Sequence, residues 1–247
     1  MSENQNETDR STPAERTVEE ERSLSPMRRT IAKRLSESYR EAVHVTLSRE
    51  LDAEALVEAT ARADEEADVE ISILDPLLMA VSATLEEHPI FNATFEDETL
   101  RVYDEHNVSI AVAVEAGLVT PVVADVASQS LSELARERRR VTELVQAGEH
   151  SMSDLRGSTF TVSNLGPLGV DSFTQIINPP EVAILGVGRI RERATSSESG
   201  VEFRKHLTVD LSLDHRVVDG ADGARFLETL AGYVEEAQTF VDDRASR

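Results

Sequence analysis

The sequence predicts a mixed α/β domain in which helices cover a largely apolar sheet. Amphipathic helical stretches alternate with apolar strand-like runs along all but the first part of its 247 residues, with no internal repeat. The chain is long enough to bury a sizeable core. It has no cysteine, so the core gets no help from disulfides, and thiolate zinc sites, iron–sulfur clusters and cysteine nucleophiles are excluded.

Residues 1–22 are rich in Glu, Ser, Thr and Asn and carry no periodic apolar positions, the composition of a disordered acidic tail. The folded domain is expected over 23–247. Order begins at Ser25-Pro26, a cap residue followed by proline at the first helical position. Met27, Ile31 and Leu35 then make an apolar stripe, and Arg28, Arg29, Lys33 and Arg34 a basic remainder. His44 to Ser48 alternates as a strand does, and 53–67 reads as a helix. Asp75-Pro76 opens a further helix, with Leu77, Leu78, Val81 and Leu85 on its buried side and Pro89 ending it. Strands follow at 91–95, 100–103, 108–115 and 119–123; the run at 108–115 is apolar enough to be covered on both faces. Ser130 and Glu133 form a capping box for a helix that ends before Gly148. A strand over 159–163 enters the turn-rich Asn164-Leu165-Gly166-Pro167-Leu168-Gly169, and Asn178-Pro179-Pro180 breaks the chain again. Strands are expected at 182–190 and 201–213, the second with Val201, Phe203, Leu207, Val209, Leu211 and Leu213 on one face, and a last helix at 221–240.

Asp and Glu number 47 against 25 Lys and Arg, a net charge of −22. Such a surface repels phosphates, so nucleic acid and anionic lipid are not expected partners. Only Lys33 and Lys205 are lysines. Excess acid with so little lysine suits concentrated salt, where screening over a few ångströms removes most self-repulsion, and a halophilic source is expected. No apolar run approaches the roughly 20 residues of a membrane helix, and the N-terminus does not read as a signal peptide. The expected location is cytoplasmic.

There is no Gly-x-Ser-x-Gly elbow and no phosphate loop, Gly186-Val187-Gly188 is only a fragment of a dinucleotide fingerprint, and no histidine pair has metal-ligand spacing. One segment stands apart: Leu211 to Gly220, a Val- and Leu-rich strand ending in Asp214-His215-Arg216, turning through Asp219-Gly220 into the last helix. A histidine at the end of a buried strand is partly desolvated, which favours the neutral form that accepts a proton near pH 7. The residues alone leave a plainer alternative, in which Asp219 caps the helix and His215 is a satisfied core histidine. Ser163 could likewise simply end its strand, and Asn164, Gly166 and Gly169 simply form turns.

Six blocks in order change that balance: MRRTIAKRL (27–35), HPIFNATF (88–95), NVSIAVAVEAGLVTPVV (107–123), GSTFTVSNLGPLG (157–169), INPPEVAILGVG (177–188) and LDHRVVDG (213–220). The chain resembles the catalytic domain of dihydrolipoamide acyltransferases, the core component of 2-oxoacid dehydrogenase complexes, from about residue 26 to 240. The resemblance implies a chloramphenicol acetyltransferase-like two-layer sandwich. It implies acyl transfer between (dihydro)lipoamide and coenzyme A, the latter as substrate, with no metal and no acyl-enzyme. His215 is then the general base on a thiol, and Ser163 the hydroxyl that steadies the oxyanion. Asp219 orients the histidine loop through an arginine near the chain start, assigned to Arg28; Asn164, Arg28 and Gly220 fall on the substrate-binding side.

The resemblance further implies a homotrimer with active sites between subunits, and partners among the other 2-oxoacid dehydrogenase components. Lipoyl and subunit-binding domains are missing from the sequence, so a free-standing domain is expected, with the lipoyl group arriving on a separate domain or protein. The charged end, residues 241–247, replaces the apolar anchor of larger assemblies, so a trimer is expected rather than a larger cube. Two competing functions are a non-catalytic trimeric scaffold and a CoA-dependent acyltransferase using another small acceptor.

Overall fold

The computed structural model describes residues 16–115, 117–197 and 200–238. Residues 16–22 form neither helix nor strand and are exposed; the rest of the expected tail, Phe240 and the charged end lie outside the described residues.

Among the described residues, five α-helices and ten strands follow the expected order: α1 (Pro26–Glu41), β1 (His44–Asp52), α2 (Glu54–Glu66), α3 (Leu74–Glu87), β2 (Ala93–Glu96), β3 (Thr99–Val102), β4 (Val108–Ile110), β5 (Val112–Val114), β6 (Gly117–Val119), β7 (Val122–Val123), α4 (Leu131–Ala147), β8 (Phe160–Asn164), β9 (Ala183–Ser197), β10 (Gly200–Asp214) and α5 (Gly220–Glu235). Ser25 caps α1 by accepting from Arg28 N at 3.2 Å, and Ser130 and Glu133 close the capping box of α4. The apolar run at 108–115 is two short strands in different sheets rather than one strand.

Six strands form a mixed sheet in the order β1-β10-β9-β8-β4-β7, antiparallel at β1–β10, β10–β9 and β4–β7 and parallel at β9–β8 and β8–β4. Its two faces differ. Leu207, Val209, Leu211 and Leu213 of β10 and Phe160 and Val162 of β8 belong to the buried core shared with α3, α4 and α5. Phe91, Phe160 and Phe226 meet there, with ring centroids 4.6 Å apart for Phe91–Phe226 and 5.9 Å for Phe160–Phe226. The opposite face is buried but polar, since alternate strand residues point that way. Thr46 and Ser212 hydroxyls lie 2.8 Å apart, Ser109 and Thr161 hydroxyls 2.7 Å apart, and Ser48 donates to Asp210. The expectation of a largely apolar sheet therefore holds for the helix-covered face alone.

One further expectation is corrected. Val201 and Phe203 are 72% and 70% exposed. β1 pairs with β10 only from Leu213 and its neighbours back to His206, so the outer half of the β9–β10 ribbon runs past the sheet and past its helices. A register irregularity between Leu207 and Val209 marks where the ribbon leaves the core.

Candidate active site

Ser163 lies on the polar face of β8 and is 9% exposed. Its backbone pairs with Gly186 of β9. A side chain at Gly186 would collide with Gln175, whose Nε2 sits 1.6 Å from where a Cβ would stand, so the glycine lets the 171–176 segment cross the strand beside Ser163. That segment is fixed by buried Asp210, which accepts from Ser172 Oγ and Phe173 N, both at 3.0 Å. Between segment, sheet and α1 lies a cavity of about 350 Å³, walled by Ile31, Leu35, Leu118, Phe173 and Ile176, with Ser163 on its floor. Among the described residues the Ser163 hydroxyl has no hydrogen-bond partner, so its proton is available to whatever enters.

The helix stripe read from sequence acquires a second meaning here, because Ile31 and Leu35 face this cavity. Ser38 anchors α1 by donating to Ile177 O at 2.6 Å, and Arg34 by donating to Pro179 O at 3.1 Å.

His215 stands immediately after β10. Its N–H donates to Val43 O at 2.8 Å, while Val43 N donates to Asp214 Oδ1 at 3.1 Å. Arg216 donates to the same carboxylate from its backbone N and from Nε, at 3.1 and 2.9 Å, and its guanidinium lies 4.9 Å from the Phe95 ring centre. Burial works against the charge of Asp214, but the Arg216 guanidinium and the two backbone N–H donors outweigh it and hold the carboxyl below its usual range. The backbone on both sides of His215 is thus stapled while the imidazole stays 39% exposed. This Asp214–Arg216–Val43 staple was not among the expected site residues; the only signal for it was that Asp214 and Arg216 flank the histidine.

Asp219 takes up both sequence readings. It is the N-cap residue of α5, and its Oδ1 lies 3.7 Å from His215 Nδ1. The expected link from Asp219 to Arg28 is absent among the described residues of one chain. Arg28 sits instead beside Gly117 and Glu115, because α1 packs along β6, on the far side of the sheet from α5. Asn164 shapes the following turn by accepting from Gly166 N at 2.9 Å. Gly220 begins α5 with nothing within 4 Å of where a Cβ would stand, so no contact within the chain requires glycine there.

The structure does not bring His215 and Ser163 together within one chain. Ser163 is level with Gly186, and Gly186 with Asp210, five residues before His215 on the same strand path. At roughly 3.3 Å per residue the two are about 17 Å apart along the strands and two strands apart across them. His215 is not part of the cavity wall. Among the described residues no group of three or more His, Asp or Glu side chains is arranged to hold a metal ion, and no helix is long and apolar enough to cross a membrane.

Residues 16–241 match the family described as 2-oxoacid dehydrogenases acyltransferase (catalytic domain). The dihydrolipoyllysine-residue acetyltransferase component of the pyruvate dehydrogenase complex of Rickettsia conorii is 36% identical over 213 residues, covering 85% of this chain and 52% of that protein. The chain therefore spans about half the length of this curated relative. The solved dihydrolipoamide acetyltransferase of Azotobacter vinelandii, studied for the role of a serine, a histidine and an asparagine in its catalytic mechanism, is 29% identical. It superposes with a TM-score of 0.86 over 93% of this chain and 100% of its own. A solved chloramphenicol acetyltransferase, 14% identical with a TM-score of 0.55 over 82% of this chain and 94% of its own, shares the fold.

Proposed function

Since the chain belongs to the acyltransferase catalytic-domain family of the 2-oxoacid dehydrogenases, we propose that it moves an acyl group between a lipoyl arm and coenzyme A, at sites shared by neighbouring subunits. One observation carries this reading: each chain presents two complementary half-sites. Ser163 offers an uncommitted hydroxyl at the floor of a mostly apolar cavity lined, among the described residues, by no carboxylate or histidine, and His215 is a stapled, half-exposed imidazole that lies outside that cavity. Cyclic association puts one subunit's patch against a different patch of its neighbour, which is what two such halves require. Leu35, Leu118 and Ile176 at the cavity mouth are 37%, 47% and 37% exposed, apolar surface that a neighbour would cover. A trimer is the assembly proposed.

The A. vinelandii enzyme supports the residue assignment. Its histidine follows its serine by 52 positions and its asparagine follows the histidine by four, the same intervals that separate Ser163, His215 and Asp219 here. This chain differs in having aspartate at the third position.

In the proposed reaction His215 Nε2 takes the proton of the attacking thiol, while Nδ1 faces Asp219. A thiol with a pKa near 8.5 is mostly protonated at neutral pH, so a base of similar strength is needed as sulfur attacks. The new sulfur–carbon bond turns the thioester carbonyl into an oxyanion, which receives the Ser163 hydroxyl proton as a hydrogen bond. Collapse breaks the old carbon–sulfur bond, and the leaving thiolate takes its proton back from His215. Coenzyme A and a lipoyl group carried on a separate domain or protein supply the two thiols, and the other 2-oxoacid dehydrogenase components are the proposed partners.

Incubation with acetyl-CoA and free dihydrolipoamide tests the proposal. Thioester exchange should occur and should disappear in His215→Ala, while Ser163→Ala lowers kcat about a hundredfold. No exchange with any acyl-CoA would assign the chain to a scaffold role, and transfer only to other acceptors would assign it a different acyltransferase activity.

A further inference from the structure

Behind the cavity lies a carboxyl group that the transfer chemistry does not use. Glu181 is 4% exposed. Its Oε1 accepts from Asn178 Nδ2 at 2.9 Å and its Oε2 from the Thr161 hydroxyl. Thr161 precedes Ser163 by two residues and so shares its face of β8. Asn178 Oδ1 in turn accepts from Arg34 Nη2 at 3.4 Å. Thr161, Asn178 and Arg34 line one polar side of the mostly apolar cavity, which also meets Thr120, Ser163 and Gln175, and one carboxyl joins the three elements that carry them.

We propose that Glu181 is a positioning residue for acyl transfer, clamping the Asn178 turn and, through it, Arg34 of α1 against the strand that carries Ser163, so that the cavity holds the lipoyl arm. This rests on the reading of the cavity as part of the transfer site.

Two protonation states give the clamp two settings. Burial pushes Glu181 up to about 7, against the opposing hydrogen bonds of Thr161 and Asn178 and the charge of Arg34. Arg34 is the charged group facing it; β8 and β4 contribute the hydroxyls of Thr161 and Ser109, the turn contributes Asn178, and β2 contributes the backbone of Thr94. When Glu181 is ionised, both oxygens only accept, Thr161 commits its single proton to Oε2, and Arg34 is drawn over Asn178. When Glu181 is neutral, Asn178 still occupies Oε1, so the new proton sits on Oε2 and donates to Thr161. Thr161 must then turn its own proton towards Ser109, and the pull on Arg34 is lost. The closed setting is the ionised one.

Glutamine reproduces the neutral pattern at every pH, since its carbonyl accepts from Asn178 and its amide donates to Thr161. The test is steady-state kinetics of the assembled protein with dihydrolipoamide and acetyl-CoA between about pH 5.5 and 8.5, for wild type, Glu181→Gln and Asn178→Ala. In wild type, KM for dihydrolipoamide should fall up to about tenfold as pH rises through the Glu181 transition, the size of one charge-assisted hydrogen bond. Glu181→Gln should hold the high KM throughout, with the pH limb of kcat preserved. Asn178→Ala should show the same raised KM at pH 8, and it carries the test if Glu181→Gln does not fold. A KM profile shared by wild type and Glu181→Gln, or an unchanged KM at pH 8 in Asn178→Ala, overturns this inference alone. A wild type inactive at every pH overturns the acyl-transfer reading and this inference with it.

Discussion

His215 and Glu181 show two ways in which a titratable side chain is held by its neighbours. The histidine is fixed through its backbone, by Val43 and by the Asp214–Arg216 pair, and its ring is left to the solvent or to a neighbouring subunit. The glutamate is fixed through its side chain and is shut away from water, at a cost that falls on the charged form. That cost has a sign. A carboxyl whose folded pKa is near 7, against 4.5 when exposed, binds more protons folded than unfolded between those values, so its contribution to stability is full below about pH 4.5 and is lost as pH rises through 7. The most this can amount to is about 3 kcal/mol. Glu181→Gln carries no charge to bury. Its unfolding free energy should match wild type near pH 5 and exceed it at pH 8, as read by urea denaturation at the two pH values; equal differences at both would contradict a buried, titrating carboxyl.

At the scale of elements, a buried ion pair ties α3 to α4 on top of their shared apolar core. Asp75, in the first turn of α3 and 0% exposed, receives Arg138 of α4, and its remaining partners are the Ser72 N–H and hydroxyl. Replacing Arg138 by leucine leaves a buried carboxylate without its counter-charge and should cost about 3–5 kcal/mol, measured by denaturant unfolding. Much of this layer could be read from the sequence, because capping and periodicity are local properties. Ser25-Pro26, the Ser130–Glu133 box and the Leu77 to Leu85 stripe stand where those rules put them. What escaped was set by strand register. Glu181 looked like one acid among 47 until β8 and the Asn178 turn closed around it, and no local pattern showed that α1 runs along β6, which takes Arg28 away from Asp219 of the same chain. Val201 and Phe203 continued a periodic stripe, yet nothing in periodicity says where a long ribbon outruns its sheet.

For the whole molecule, the six-stranded sheet acts as a divider, with a helix-covered apolar face and a polar face bearing α1, the 171–180 segment and the cavity. The same sheet keeps the two proposed catalytic groups apart: Ser163 in the middle of the polar face and His215 past the end of β10. In the proposed assembly, one subunit's base serves another's cavity. Mixing His215→Ala and Ser163→Ala chains, dissociating and reassembling them together, tests it most directly. With sites between subunits, on the order of a quarter of the sites in a random mixture unite an intact histidine with an intact serine. Transfer activity should therefore rise well above that of either variant alone, to about that fraction of wild type. A mixture no more active than its components would rule out sites shared between subunits.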